Sequence, residues 1–506
     1  MSSKSFQNAS KLNGIVSVLQ FGADPTGATN STLQINAAIA AGTGKCIHFP
    51  AGTYLYSGGG VLGAGSVISG DGRNATIIRS ALSSPTDGYL IKAAGYGSGL
   101  VSLRFDAAVT QTGGSYVWLS GIESFINDFF MNGDFNGIWM TGNVSRIRHG
   151  RFQDGAANAI RIKAEGGDNS QLIDDVLMGA QLPQISFAGI RVRNSSALII
   201  SNTSVIQQGH GLLIDPTTLT TGANPADGNV LSLYVNNCFF DNSSGNGIRI
   251  TPSGTGSVVR CRFANCWAGS SGNDGIYLNN TGSGILQGMH FESCHAVLNG
   301  TSGSGAGFST LGDVQDFTIN GGIIASNTQG VYLGSGTVNS KICNATIGLG
   351  GGLSGNTGNG VTLLSGTFNT IVTGNTIINN TGTGVTVNGT ADRYIITNNF
   401  IFGNGTNLFV TQTADRVVKN NTGVISPDIA SGSSFIPSGG TSVVINHNLG
   451  VIPDPAFIQI SPTNSFGSNP LFVDTTTITA SQFTVKAASA VVGTHNFTWN
   501  ARINNK

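Results

Sequence analysis

The chain has 506 residues, with 24 basic and 24 acidic side chains; only 9% of it is charged, against 74 glycines. Such neutrality lacks the basic field that nucleic-acid binding needs, and the composition excludes both a helical chain and a disordered one. No run approaches the ~20 apolar residues of a membrane helix, and Met1–Ser10 is polar without a signal-peptide core, so neither a nucleic-acid partner nor membrane insertion is expected.

Residues 1–13 read as a polar tail. Residues 14–56 read as a strand, a turn, one helix and a return to strand, forming the cap and first coil. Ser31 with Gln34 suggests a capping box, and Leu33, Ala37, Ile39 and Ala40 suggest the helix's apolar face. A helix across the first coil would cover a core that a solenoid otherwise leaves open.

Residues 57–423 read as a parallel β-helix whose first coils, 57–128, have Gly-rich turns; from about 129 to 422 one pattern recurs: apolar strand, Asn/Gly-rich turn, then Gly-Ile or Gly-Val opening the next strand. The restarts include Gly137-Ile138, Ala159-Ile160, Gly189-Ile190, Gly247-Ile248, Gly275-Ile276 and Gly330-Val331, spaced 22 to 36 residues apart. A floor near 22 with insertions above it indicates a solenoid of short strands. Residues 424–440 are Ser/Gly/Pro-rich and read as a linker. Residues 441–506 alternate apolar and polar, as in Gln482-Phe483-Thr484-Val485, and read as a small antiparallel β-sandwich.

Six cysteines show neither a disulfide framework nor a zinc pattern, and stacked core thiols are expected, Cys238 over Cys261 and Cys266 over Cys294. No metal or cofactor motif stands out, so none is expected.

Aligned strands show which side chains stack, because successive residues point to opposite faces. A column through Phe130, Phe152, Leu177, Ile206, Phe240, Phe263, Phe291 and Phe402 reads as inward. The residue after each then faces out, which puts Asp241 and Glu292 two rungs apart across Ala264. Side-chain lean would bring them into the ~6.5–9.5 Å window of an inverting glycosidase, so they are the candidate acid/base pair. The plain alternative is solvated strand ends. A second outward column carries Trp139, Arg161, Arg191, Arg249, Tyr277 and Tyr332, with Lys163 and Arg193 on the same face. Aromatic faces and guanidinium forks suit sugar rings and carboxylates. A subunit interface, or pairing with Glu165, Asp168, Asp174 and Asp175, remains open.

The stretch Phe21-Gly22-Ala23-Asp24-Pro25-Thr26-Gly27, followed by Ala37-Ala38-Ile39 and Phe49-Pro50-Ala51-Gly52-Thr53-Tyr54, resembles the opening motif of the pectate-lyase-like right-handed parallel β-helix superfamily, in the version found in phage tailspikes. Ile68-Ser69-Gly70-Asp71-Gly72 extends the likeness, whereas Asn30-Ser31-Thr32 replaces the consecutive aspartates of many relatives. The C-terminal segment from Ile445 to Pro462, with Phe497 to Ile503, resembles C-terminal modules of phage tail spikes and fibres. These resemblances imply an all-β, right-handed parallel β-helix with an N-terminal capping helix and a C-terminal β-sandwich that trimerises the chain or touches glycan. They also imply a homotrimer on a virion tail or baseplate protein, acting on a bacterial surface polysaccharide such as capsule or O-antigen. Endo-hydrolysis is the expected chemistry; β-elimination on a uronate and a non-catalytic receptor-binding fibre are the alternatives.

Overall fold

The computed structural model describes residues 14–156, 158–166, 170–179, 187–217, 228–410, 415–424, 428–449, 452–464 and 469–503. The expected tail 1–13 and the proposed partner Asp168 lie outside them. The chain winds into a parallel β-solenoid of about 14 turns, followed by two three-stranded antiparallel sheets.

At the N-terminus the helix Thr32–Ala41 closes the coil by burying Ile35, Ala38 and Ile39. Leu33 is 81% exposed and Ala37 and Ala40 also face solvent, so the apolar face is turned from the one expected. Nor does Ser31 cap the helix with its side chain: its hydroxyl accepts from the Asp24 N–H at 2.8 Å. A capping box does form earlier in the chain, between Ser17 and Gln20 at the short turn Val18–Phe21. Asp24 organises the opening turn by accepting from the N–H and hydroxyl groups of Thr26 and Thr29. Those bonds hold its carboxyl far below the usual range.

Each coil contributes to two surfaces. One, the ladder sheet, runs from Gly58–Leu62 through Asn136–Met140, Ile248–Ile250 and Gln329–Leu333 to Thr406–Val410. The other is sharply bent. Its strands turn at a residue with positive φ, within a continuous strand at Asp128, His149 and Asp175 and between two strands at Asn202, Asn237, Asn265 and Ser293. Asn, Asp and His tolerate this left-handed conformation better than most residues, so the bend recurs coil after coil.

The bend corrects the inward column. Phe152, Phe240, Phe263 and Phe291 are buried, but Leu177 and Phe402 are 43% and 60% exposed, and their neighbours Met178 and Ile401 point inward instead. Each coil carries an apolar residue on both limbs of the bend, and alignment on Phe alone had mixed the two. Phe240 pairs with Ala268, while Phe263 pairs with Phe291. The thiol stack shifts accordingly. Cys238, Cys266 and Cys294 precede the paired residues Phe239, Trp267 and His295 and form one column. Cys261 sits beside Met289 instead.

Two buried asparagine ladders hold the later coils. Asn299, Asn327, Asn356 and Asn380 form one, each side-chain N–H donating to the next residue's Oδ1 at 2.8–3.0 Å. Asn375, Asn399 and Asn421 form the other. Polar groups at a buried corner are costly unless paired, and these amides pair side chain and main chain together.

Past the solenoid, the segment expected as a linker contains the strand Ile429–Ile436, paired along its length with His495–Arg502. Ile429, Ser431, Ser433 and Phe435 are its exposed face. Ala430, Gly432, Ser434 and Ile436 turn towards the sandwich, where Ile436 joins Phe483, Val485 and Phe497 in the core, so its small polar residues are those of a thinly covered edge strand. Asp428 binds back to the last coil: it accepts from Arg416 Nε at 2.9 Å and from the Val418 N–H at 2.8 Å.

Asn356→Ala removes two donors and an acceptor from a site that is 0% exposed. A loss of about 3 kcal/mol is expected from the groups left unpaired, read as a lower urea midpoint with an unchanged far-ultraviolet spectrum at rest.

The candidate functional site on the ladder sheet

Hydrogen-bonded pairing fixes the outward residues of the ladder sheet in one file. In order they are Lys92, Trp118, Trp139, Lys163, Arg191, Leu213, Arg249, Tyr277, Ser309 and Tyr332. Nine rungs at ~4.8 Å give a stripe about 43 Å long. Its first half is aromatic and cationic. Trp118 and Trp139 stack at 4.4 Å between centroids. Lys92 Nζ lies 3.6 Å from the Trp118 ring centre and Lys163 Nζ lies 5.0 Å from that of Trp139. Trp118 Nε1 donates to Thr141, whereas Trp139 Nε1 is buried with no partner.

Of the expected contact residues, Trp139, Lys163, Arg191, Arg249, Tyr277 and Tyr332 stand in this file and Arg193 stands on the same face. Arg161 does not. It is 0% exposed and paired with buried Asp134. The restart of its coil is Arg161-Ile162, since Ile162 pairs with Ile138 and Ile190, and Arg161 fills the slot held by Gly137 and Gly189. Such slots point into the corner of the coil, where a Cβ on Gly137 would strike Phe152. Arg161 fits because Gly155 leaves room for its guanidinium. Lys92 and Trp118 were missed because their coils have no Gly-Ile restart.

Asp215 and Glu165 stand beside the cations of the ladder face. Asp215 takes Arg191 Nε and Nη2 in a fork and lies 3.5 Å from Arg193. Burial pushes its carboxyl up, opposed by Arg191 and reinforced by the charge of Glu165. Glu165 lies 3.3 Å from Lys163 Nζ, and its Oε1 is buried with no partner. His210 edges this region. Burial and the Arg249 charge lower its imidazole to about 4.

Asp241 and Glu292 are not brought together. Asp241 lies opposite Gly269 and Ile206 on one limb of the bent sheet; Glu292 lies opposite Ala264 and Asn320 on the other. The shared column on which their spacing rested does not exist. Glu292 pairs with Arg262 at 2.5 Å, and Asp241 accepts from Trp267 Nε1 at 3.4 Å. The bend between the limbs also opens a cleft of about 850 Å³, lined by Arg73, Asp128, His149, Arg151 and Asp175 among others. Among the described residues no group of three or more His, Cys, Asp or Glu side chains could hold a metal ion, and no helix is long and apolar enough to cross a membrane.

Arg161→Met strands the Asp134 carboxylate and is expected to destabilise the coil by about 3–5 kcal/mol. Adding Asp134→Leu should restore most of it. Thermal unfolding of both variants checks this, and neither should alter ligand binding on the outer face.

Residues 15–113 match the family described as rhamnogalacturonase A/epimerase, pectate lyase-like, and residues 188–377 match the right-handed β-helix region. No curated protein matches the sequence. Among solved structures, a double mutant of the tailspike protein of E. coli bacteriophage HK620 is similar. It is 10% identical at a TM-score of 0.55, with 98% of this chain and 94% of that one covered. The A-module of the Azotobacter vinelandii mannuronan C-5 epimerase AlgE4 is 14% identical at a TM-score of 0.47, with 80% of this chain and 100% of that one covered. At 10% identity the likeness to the tailspike protein is one of fold alone. Both family matches fall inside a parallel solenoid capped by a helix, and the fold is an all-β right-handed parallel β-helix.

Proposed function

We propose that the protein is a phage tailspike that binds a bacterial surface polysaccharide, capsule or O-antigen, along the ladder face and cuts it within the chain by hydrolysis. The observation that carries this reading is the ladder itself, with aromatic and cationic side chains in unbroken succession from Lys92 to Arg191 and again at Arg249, Tyr277 and Tyr332, in a protein with few charges. Its aromatic faces suit the apolar faces of sugar rings, and its guanidinium forks suit acidic substituents. Buried polar atoms without partners lie there too, at Trp139 Nε1 and Glu165 Oε1. A hydroxyl-rich ligand would satisfy them.

We assign the proton transfers to Glu165 and Asp215 in place of Asp241 and Glu292. Glu165 ends one strand and Asp215 follows another two coils on, with Arg193 in the coil between; the pairing slips there by one residue, Glu165 opposite Asn194. Two rungs separate backbones by about 9.6 Å, close to the spacing that leaves room for an attacking water. Glu165, with one oxygen unengaged, activates that water. Asp215, its carboxyl raised by burial, protonates the leaving oxygen once Arg191 turns to the substrate. Exposed apolar side chains on the bent sheet, among them Leu177, Ile199, Tyr234 and Phe239, supply the contacts of a homotrimer mounted on a tail or baseplate protein.

The cations beside Glu165 favour a second reading, elimination. There Lys163 or Arg193 neutralises a uronate carboxylate while a base takes the C5 proton.

Purified capsules and O-antigens, screened for new reducing ends, test the assignment. Glu165→Gln is expected to slow cleavage by about 100-fold or more with binding retained, while Asp241→Asn and Glu292→Gln stay within a few-fold of the parent. The reverse pattern overturns the pair, and a product absorbing in the near ultraviolet replaces hydrolysis with elimination. Viscosity unchanged across the panel would leave a receptor-binding fibre.

A further inference from the structure

We propose that His210 and Arg249 form a carboxylate subsite on the ladder face, which holds the acid group of a uronate-type sugar; this rests on reading that face as a glycan groove. The main-chain N–H of Asn246 donates to His210 Nδ1 at 3.1 Å. Nδ1 is therefore the acceptor nitrogen, and the proton of the neutral ring sits on Nε2. That Nε2 lies 3.5 Å from Arg249 Nη1. An imidazole N–H and a guanidinium N–H are both donors, so they cannot bond each other. Two donors converge on one space with no acceptor between them.

The surroundings sharpen this. Arg249 Nε is buried and has no partner, and among the described residues Arg249 joins no ion pair, unlike Arg191, whose fork Asp215 fills. An unmatched, desolvated donor on a charged group is costly, and an incoming acceptor removes that cost. The planar fork with an adjacent ring N–H matches the two oxygens of a carboxylate. The sugar that carries it has a surface to lie on, since the Tyr277 ring stands one rung further, 5.9 Å from the guanidinium carbon. Phe187 meets the His210 ring edge-on at 5.9 Å and walls the other side. The position of the ring is built in as well. A Cβ on Gly245 would lie 2.6 Å from His210 Cε1, so only glycine lets the ring seat against Asn246.

The full chain, labelled with ¹⁵N at histidine, is titrated with sodium D-glucuronate and, as the neutral control, D-glucose, with sodium chloride matched throughout. The signal missing in His210→Gln assigns the ring. Glucuronate is expected to move the His210 ring nitrogens saturably, glucose to leave them in place, and Arg249→Met to abolish the response. Gly245→Ala, which displaces the ring without touching either donor, should weaken it at least several-fold. Silence towards glucuronate, an equal response to glucose, or a response that survives in Arg249→Met overturns the subsite. A protein that cuts polysaccharide yet ignores glucuronate loses the subsite and keeps the depolymerase reading. One that answers glucuronate but cuts nothing keeps the subsite and loses that reading.

Discussion

In this solenoid the register of parallel hydrogen bonds decides which side chains meet. Residues 21 to 36 apart in sequence become neighbours one rung apart, and a slip of two positions sends a side chain from the surface into the corner of the coil. Arg161 and Lys163 show the stakes. They differ by one turn of the alternation, yet one is locked against Asp134 with no exposure and the other lies beside the Trp139 ring. The ladder file, the asparagine ladders and the thiol stack are all expressions of that single constraint.

Much of this was legible in the residues. The recurring Gly-Ile restarts indicate a solenoid because each glycine slot faces a corner too tight for a side chain, and the sequence shows nine such slots from Gly137 to Gly384. The cap and the outward file from Trp139 to Tyr332 follow from the same logic. What escaped was whatever needed a third dimension. The bent sheet gives every coil two apolar strands in quick succession, so Phe240 and Phe263 look equivalent in sequence but belong to different limbs. Asp241 and Glu292 inherited that error. Arg161 escaped because a buried arginine in a glycine slot is exceptional, and only the space left by Gly155 permits it. The strand Ile429–Ile436 hid behind serines that a thinly covered edge allows.

With so few charges, their uses divide clearly. Arg161–Asp134 and Arg416–Asp428 are buried pairs; such pairs fix a geometry more than they add net stability. Arg191–Asp215 sits at the surface with its fork already filled. Arg249 is different: desolvated, stacked near Tyr277 and unanswered. A desolvated cation without a carboxylate discriminates between ligands, since a neutral one gains nothing from it.

The contact of Asp428 with Arg416 and Val418 has a mechanical side. The carboxylate grips the final strand of the coil from the chain that leads into the sandwich, so tension on the C-terminal domain arrives at that strand's edge. Load enters as peeling, one strand after another, and each step must free both a main-chain ladder and an asparagine rung beneath it. A solenoid loaded in this way gives up strands singly from its C-terminal end while the ladder face upstream stays in register.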